Sequence, residues 1–274
     1  MLERIDNSYQ HFIEDFQNIY QNPEKINNFL NKNSDNIEKK IENLFLRLDL
    51  DKNFCIYANG GFGRKEMFPT SDIDISIIEM SKPKSYESLE KFVSSLWDEG
   101  YQIGHSVRSI QDIKKISKQD VKEFTSYLTR RPIITVDEVD SKITRVLLQL
   151  WSKDKFFNAK NDEQLVRHKD YHSTAYNLEP DLKESPGTLR DFQTALWILQ
   201  HCFGLDDLKS IEYSDNFKND ISNAIEAYNF IKTLRFASNV FTKKNRLNFE
   251  AQLDISKIAK LKTKNTNRSV EIMM

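Results

Sequence analysis

The sequence has few of the residues and patterns that mark secreted or membrane proteins. Its 274 residues include only two cysteines, Cys55 and Cys202, which lie far apart along the chain. Such a pair favours buried free thiols over a disulfide and fits a reducing compartment. No apolar run reaches the roughly 18 residues that a membrane span needs. The first residues also lack the basic-then-apolar pattern of a signal peptide. The sequence therefore predicts a cytoplasmic protein without a membrane partner.

An excess of charge of either sign is also missing. Lysine and arginine number 40 and aspartate and glutamate 41, so the formal net charge is −1. Because nucleic-acid-binding domains usually carry a basic excess, this balance does not support nucleic-acid binding, and we expect no such partner. A hydrophobic content of 39% over 274 residues allows a substantial core in one or two domains.

Glycine is scarce, and its distribution along the chain is uneven. Three of the seven glycines, Gly60, Gly61 and Gly63, fall in one short stretch. This stretch follows an apolar run at residues 54–58 that is typical of a buried strand. Clustered glycines suit a backbone that bends sharply and lets a phosphate approach its N–H groups.

A second strand pattern follows the glycine turn and carries two acids. Isoleucines alternate here with Asp72, Asp74 and Ser76, so the two carboxylates of a strand lie on one face, roughly 7 Å apart at the backbone. Neighbouring acids repel each other unless a cation lies between them, and Mg²⁺ prefers oxygen ligands together with substrate phosphates. An isolated Asp-x-Asp also occurs on solvated strand faces. Joined to the glycine turn, however, it predicts a phosphoryl-transfer site that uses Mg²⁺.

The stretch from Gly60 to Asp74 resembles a known signature. Its letters, GGFGRKEMFPTSDID, are similar to the nucleotidyltransferase motif of the bacterial PII-protein uridylyltransferases, members of the polymerase-β-like superfamily. Two later stretches, IGHSVR at 103–108 and NLEPDLKESPGTLRD at 177–191, resemble further motifs of this family. The resemblance extends from about residue 40 to the end of the chain.

The resemblance implies an α+β fold, with a polymerase-β-like nucleotidyltransferase domain of short mixed sheet and helices followed by an all-α domain. Residues 205–274 agree with the second part, because they lack proline and glycine and keep helical spacing of apolar residues. We place N-terminal helices at 1–45, the nucleotidyltransferase domain at 46–150 and a helical nucleotidyltransferase-associated domain at 151–274. Members of the family are longer, so we also expect this chain to be an N-terminal piece, truncated at its C-terminus.

By the same resemblance, the activity is metal-dependent transfer of a uridylyl group from UTP to a tyrosine hydroxyl of the PII nitrogen-regulatory protein, with release of pyrophosphate. Asp72 and Asp74 are the implied catalytic residues and Mg²⁺ ligands. The implied nucleotide-binding residues are Gly60, Gly61, Arg64, Ser71, Lys183 and Arg190. The last two belong to the later motif and are expected to close over the nucleotide from the helical side.

Two positions depart from the family pattern. The superfamily usually adds a third metal carboxylate on the next strand, where this chain has Gln102; Glu66, Glu79 and Glu179 are the conceivable substitutes. Thr188 stands where the later motif usually has glycine, and a positive φ there would strain it. The departures leave two alternatives open: a catalytically weakened nucleotide-binding regulatory module, or a nucleotidyltransferase with another acceptor.

Four further side chains have two interpretations each. His105 is either a partly buried histidine or a functional one, and Arg108 is either a phosphate ligand or a member of a salt bridge. His168 and His172, spaced i and i+4, either share a helix face and hold a metal or belong to a polar helix surface.

Overall fold

The structure, a computed structural model, describes residues 9–50, 53–83, 85–174, 176–205 and 215–259, except for the side chains of 137 and 215–217. A 3₁₀ turn and a π-helical turn accompany the helices and strands of these ranges. In chain order these helices and strands are α1 Gln10–Gln21, α2 Ile26–Arg47, β1 Phe54–Ala58, α3 Gly60–Gly63, β2 Ile73–Glu79, α4 Glu87–Asp98, β3 Ile103–Arg108, α5 Ile110–Gln119, α6 Val121–Leu128, β4 Arg131–Ile134, α7 Asp137–Leu147, α8 Lys153–Asp170, α9 Leu189–Ile198, α10 Asp215–Thr242 and α11 Phe249–Ile258.

The four strands form one mixed sheet in the order β3-β2-β1-β4. The central strand β1 pairs antiparallel with β2 and with β4, while β2 and β3 run parallel. Because a parallel pair cannot be joined by a tight hairpin, α4 provides the crossover between β2 and β3. A small mixed sheet combined with many helices agrees with the predicted α+β class, and the polymerase-β-like superfamily stays a prediction.

One face of the sheet carries a hydrophobic core. Alternate residues of β1 and β2 pack on this face with apolar residues of α2 and α4. The residues of the core are Ile41, Leu44, Leu50, Phe54, Ile56, Ala58, Phe62, Met67, Ile73, Ile75, Ile77, Leu89, Phe92, Val93 and Leu96. Since neighbouring side chains of a strand point to opposite faces, Asp74 and Ser76 lie on the face away from this core.

The chain divides into two compact units. The sheet unit consists of Leu30–Met67 and Ser71–Ala159, and the helical unit of the described residues in Met1–Phe29, Phe68–Thr70 and Lys160–Met274. Two boundaries therefore fall inside α2 and inside α8, and the other two lie on either side of Phe68–Thr70. The predicted sequence domains, which end at residues 45 and 150, stay predictions.

The helical unit has an aromatic core around α10. The ring of Phe12 in α1 lies 4.4 Å from that of Phe236 in α10 and 5.5 Å from that of Phe29. The helix α10 runs unbroken over 28 residues, since neither proline nor glycine interrupts it. The helical structure predicted from the apolar spacing is therefore confirmed over Asp215–Thr242.

The structure bears on two predictions for the chain, the state of its cysteines and the absence of a membrane span. Cys55 and Cys202 are both free and buried, as predicted. None of the helices in the described ranges is long and apolar enough to cross a membrane. The cytoplasmic location stays a prediction, and residues 260–274 of the predicted helical domain lie outside the described residues.

Candidate functional site

Asp72 and Asp74 stand at the beginning of β2. Both are exposed, whereas Ile73 between them is 2% exposed. This alternation places the two carboxylates on the face opposite the core. The next residue on that face, Ser76, is buried and accepts a hydrogen bond from Asn59 Nδ2 at 2.6 Å. The acids therefore occupy the open end of a face whose middle is covered.

The glycine turn lies against Asp74. The Asn59 N–H donates to the backbone carbonyl of Asp74 at 2.9 Å. A Cβ built on Gly60 would stand 2.8 Å from Asp74 Oδ2. Gly60 also has a φ of +55°, which L side chains rarely adopt. The backbone conformation therefore favours glycine at this position, and the absence of a side chain leaves room for the carboxylate.

The other two glycines of the turn differ in their surroundings. A Cβ on Gly63 would stand 2.5 Å from Thr129 O and 2.9 Å from Ala58 O, so this glycine lets α3 pack against neighbouring backbone. Gly63 is buried, while Gly60 and Gly61 are partly exposed. Gly63 therefore has a packing role, and the nucleotide-binding role of Gly60 and Gly61 stays a prediction.

Arg64 and Ser71 lie in the same compact unit as the acid pair. Arg64 Nε donates to Glu66 Oε2 at 3.0 Å, in an ion pair whose side chains are only 16% and 10% exposed. This bond uses one of the five N–H donors of the guanidinium group and fixes its plane. Ser71 is partly exposed and directly precedes Asp72.

A third acid does not join the pair. Within the part of the chain that the structure describes, no group of three or more His, Cys, Asp or Glu side chains is placed to hold a metal ion. The Ile73 N–H donates to Gln102 O at 2.8 Å, and Ile73 pairs with Ile103. The parallel register therefore places Gln102, which is exposed, beside Asp72.

The three conceivable substitutes have other partners. Glu66 pairs with Arg64, as described above. Glu79 lies at the far end of β2, where it accepts a hydrogen bond from the Tyr86 hydroxyl at 2.7 Å. Glu179 forms a salt bridge within the helical unit. None of them completes a three-acid group with the β2 pair.

The two β2 carboxylates still fit a magnesium ion. Magnesium in phosphate-processing sites is commonly bound by one or two carboxylates, and substrate phosphates and water complete its shell. Asp72 and Asp74 supply oxygen ligands of negative charge, and both are exposed. The donor set therefore suits Mg²⁺ that arrives with a nucleotide better than a metal held by protein ligands alone.

Two residues of this site were missed by the sequence analysis. Asn59 Nδ2 also donates to Ser126 Oγ at 3.1 Å, so it ties the glycine turn to α6 as well as to β2. Gly104 of β3 pairs with Asp74 in the parallel ladder. A glycine inside a strand pattern was the available signal for Gly104, whereas Asn59 had no signal beyond its place before the turn.

The remaining polar side chains of β3 have structural partners. His105 is exposed rather than partly buried, and its ring centroid lies 5.7 Å from that of Trp97. Arg108 Nη1 donates to Glu123 Oε2 at 2.6 Å and to the Tyr127 hydroxyl at 3.2 Å. The hydrogen bond to Glu123 raises the pKa of Arg108. The salt-bridge interpretation of Arg108 is therefore the one that the structure supports.

The later motif, at 177–191, contributes a loop and the start of α9 to the helical unit. Arg190 donates to both carboxylate oxygens of Glu184, at 2.9 and 3.2 Å. Lys183 Nζ lies 3.8 Å from the same carboxylate. Burial, together with the charge of Arg190, lowers the pKa of Lys183. Both predicted cations thus share one acid of their own loop, and their role in nucleotide binding stays a prediction.

Asp191 connects the loop to α8 and to its own backbone. Its Oδ1 accepts from Arg167 Nη2 at 2.5 Å and lies 2.9 Å from His168 Nε2, while its Oδ2 accepts from the Gly187 N–H at 2.7 Å. Burial alone would raise the pKa of Asp191. The hydrogen bonds from Gly187, His168 and Arg167 outweigh burial, so the pKa lies below its usual value.

His168 and His172 do not lie on the same helix. The helix ends at Asp170, and His172 beyond it has a φ of +56°. His168 is bonded to Asp191 instead. The hypothesis of a shared helix face is therefore wrong, because the helix ends between the two residues.

Thr188 adopts its position without backbone strain. Its φ is −102°, and the positive φ of +78° belongs to Gly187 before it. The Thr188 hydroxyl donates to Ser185 O at 2.6 Å and is buried. Threonine therefore fits at this position, directly before α9, although the family motif usually has glycine there.

Taken together, fold and site define a mixed α and β protein with an exposed acid pair beside a glycine turn.

Residues 155–274 match the family model described as GlnD PII-uridylyltransferase. Relatives named bifunctional uridylyltransferase/uridylyl-removing enzyme align with most of the chain. The relative from Haemophilus influenzae (strain PittEE) is 37% identical over 228 residues, covering 80% of this chain and 26% of the relative. The one from Pasteurella multocida is 33% identical over 243 residues, covering 85% and 28%. The one from Vibrio vulnificus (strain YJ016) is 34% identical over 229 residues, covering 81% and 26%. Residues 155–274 therefore form a domain of the PII-uridylyltransferase family, and the chain spans about a quarter of the length of the curated relatives it matches.

Proposed function

We propose that this chain transfers a uridylyl group from UTP to a tyrosine hydroxyl of a PII protein, and that its sheet unit is a polymerase-β-like nucleotidyltransferase domain. The names of its relatives support uridylyl transfer. The observation that carries the proposal is the exposure of Asp72 and Asp74 on one face of β2, with Gly60 against the second carboxylate.

The proposed reaction is an in-line displacement at the α-phosphorus. The acceptor oxygen forms a bond to that phosphorus, the bond to the bridging oxygen breaks, pyrophosphate leaves with the electron pair, and the hydroxyl proton passes to solvent. Asp72 and Asp74 would hold magnesium, which when bound lowers the pKa of the acceptor hydroxyl and neutralises the triphosphate. Catalysis then rests on positioning and charge compensation rather than on a covalent intermediate.

The remaining residues of the sheet unit bind and orient the nucleotide. Gly60 and Gly61 admit the phosphates close to the backbone, because neither carries a side chain. Arg64, whose plane is fixed by its bond to Glu66, donates to phosphate oxygens, and the Ser71 hydroxyl adds a further donor. No step of the proposed reaction rests on the two predicted cations of the helical unit.

Replacement of both acids tests the proposal. The double variant Asp72→Asn/Asp74→Asn should lose about 1,000-fold in Mg²⁺-dependent transfer of label from radiolabelled UTP, since several kcal/mol of charge stabilisation is removed. Asp98→Asn, at another exposed acid of the sheet unit, is the matched control and should keep full transfer. Circular dichroism should show that all variants are folded, and undiminished transfer by the double variant would refute the metal assignment.

A second candidate is a nucleotide-binding regulatory module that does not catalyse. The exposed Gln102 beside Asp72, where the family resemblance led us to expect an acid, favours it. Titration calorimetry distinguishes the two functions. A catalyst binds UTP much more tightly with Mg²⁺ and releases pyrophosphate once an acceptor is added, whereas the module binds without turnover. Turnover with a protein other than PII would indicate a different acceptor.

A further inference from the structure

Gly104 is a glycine in the interior of a strand. Glycine weakens a strand because it loses more backbone entropy on folding and has no side chain to pack. Its backbone does not require glycine here, since the glycines with positive φ are Gly60, Gly100, Gly187 and Gly204. What a side chain at 104 would change is therefore the space around it rather than the backbone conformation.

The space at Gly104 is occupied by Asp74. A Cβ built on Gly104 would stand 2.7 Å from Asp74 Oδ1, closer than real Cβ contacts come. Apart from its chain neighbours, the described atoms within 4 Å of such a Cβ are Oδ1 and Cγ of Asp74. The steric effect of a side chain at 104 would thus fall on one carboxylate.

The other oxygen of this carboxylate also lies against a glycine. Asp74 Oδ2 would be 2.8 Å from a Cβ on Gly60. The carboxylate therefore lies in a slot between two residues without side chains, one in the turn before β2 and one in the neighbouring strand. Each oxygen faces one wall of the slot, so the slot limits how the carboxylate can rotate.

We propose that Gly104 is a positioning residue for Asp74, which holds the carboxylate in the slot by the absence of its own side chain. The inference rests on the proposed function, in which Asp74 is a metal ligand. A methyl group at 104 turns the carboxylate away from its place beside Asp72 and weakens metal binding. The core is unaffected, because Gly104 is exposed and opposite the face of the packed isoleucines.

Metal binding gives a readout that does not depend on catalysis. Binding of Mn²⁺ to the 274-residue chain in the presence of UTP is followed by electron paramagnetic resonance. Gly104→Ala should weaken Mn²⁺ binding about 10- to 100-fold, the usual cost of losing a residue that orients a metal ligand. Asp74→Asn is the reference for loss of the ligand. His105→Ala, on the same strand, is the control and should bind Mn²⁺ within about twofold of the unchanged chain.

A double-mutant cycle tests the steric contact without any metal. In the wild-type background, Gly104→Ala should lower the urea midpoint of unfolding. In the Asp74→Ala background, the same substitution should leave the midpoint unchanged or raise it, because no carboxylate remains to be displaced. If Asp74→Asn weakens Mn²⁺ binding while Gly104→Ala binds as the unchanged chain does, the positioning role is overturned and the proposed function stands. If Asp74→Asn binds normally, the metal assignment fails, and the cycle alone decides: coupled effects support the slot, and additive effects overturn it.

Discussion

The acid pair of the sheet unit and the 177–191 loop of the helical unit both carry clustered charges, but the clusters differ in composition. In the loop, Arg190 binds Glu184 and Arg167 binds Asp191, so opposite charges neutralise one another. On β2, Asp72 and Asp74 carry the same charge and are exposed on one face. Opposite charges that pair internally hold a loop in shape, whereas like charges on one face favour a cation between them. The charges of the loop thus have a structural use, whereas a ligand-binding use is proposed for those of the acid pair.

Of the variants that test this comparison, Asp191→Ala is expected to have the largest effect, which is a loss of stability. The variant removes the acceptor of Arg167 Nη2 and of the Gly187 N–H in a mostly buried place, while Arg167 Nη1 keeps its bond to Glu184 O. We expect the free energy of unfolding to fall by about 2 to 3 kcal/mol. Urea denaturation measures this loss. Asp162→Ala, at an exposed acid of α8, is the matched control and should change stability by less than about 0.5 kcal/mol.

A different result for Asp191→Ala would contradict the structural role of the loop charges. If Asp191→Ala abolished UTP binding while its unfolding midpoint stayed unchanged, the loop charges would form a ligand site rather than a structural network. Loss of stability together with unchanged Mn²⁺ binding by the folded variant would confirm the structural use.

A smaller effect is expected at the strand site from Gln102→Glu. The substitution adds a third carboxylate beside Asp72 on the neighbouring strand. Because an added negative charge a few ångströms away attracts a divalent cation, Mn²⁺ should bind about tenfold more tightly. Electron paramagnetic resonance measures the change, and Gln119→Glu, at an exposed glutamine of the same unit, is the control. Unchanged affinity in Gln102→Glu would count against a cation at this face.

The smallest effect is expected from Thr188→Gly, which restores the family residue. The variant loses the buried hydroxyl bond to Ser185 and gains backbone freedom, so stability should fall by roughly 1 kcal/mol or less. Label transfer from UTP should stay the same, because Thr188 has an ordinary φ of −102°. A clear rise in transfer would show that this departure does weaken the enzyme.

Local patterns in the sequence predicted much of the fold. The apolar run at 54–58 became β1, the alternation after Ser71 became β2, and the uninterrupted stretch in the helical half became α10. These patterns are reliable because a strand or helix repeats its side-chain directions over a few residues. Of the two interpretations of His105, the partly buried histidine was wrong, since β3 lies at the edge of the sheet and His105 is exposed.

Contacts between distant segments were beyond such patterns. Arg108 had two interpretations of equal merit until α6 brought Glu123 to it. The i and i+4 spacing of His168 and His172 suggested a shared face, but α8 ends at Asp170. A spacing indicates a shared face only while the helix continues, and tertiary contacts help to decide where it ends.

For this protein, the sequence by itself determined that Asp72 and Asp74 share a face, because side-chain direction along a strand is a property of the local backbone. It also indicated a bend before them from three glycines within four residues, of which Gly60 adopts the positive φ that other residues avoid. Only the tertiary structure decided that Gly104 lies against Asp74 and that Gln102 stands beside Asp72. Those neighbours depend on the parallel register of β2 and β3, which is set by the packing of whole strands and their crossover helix rather than by either segment alone.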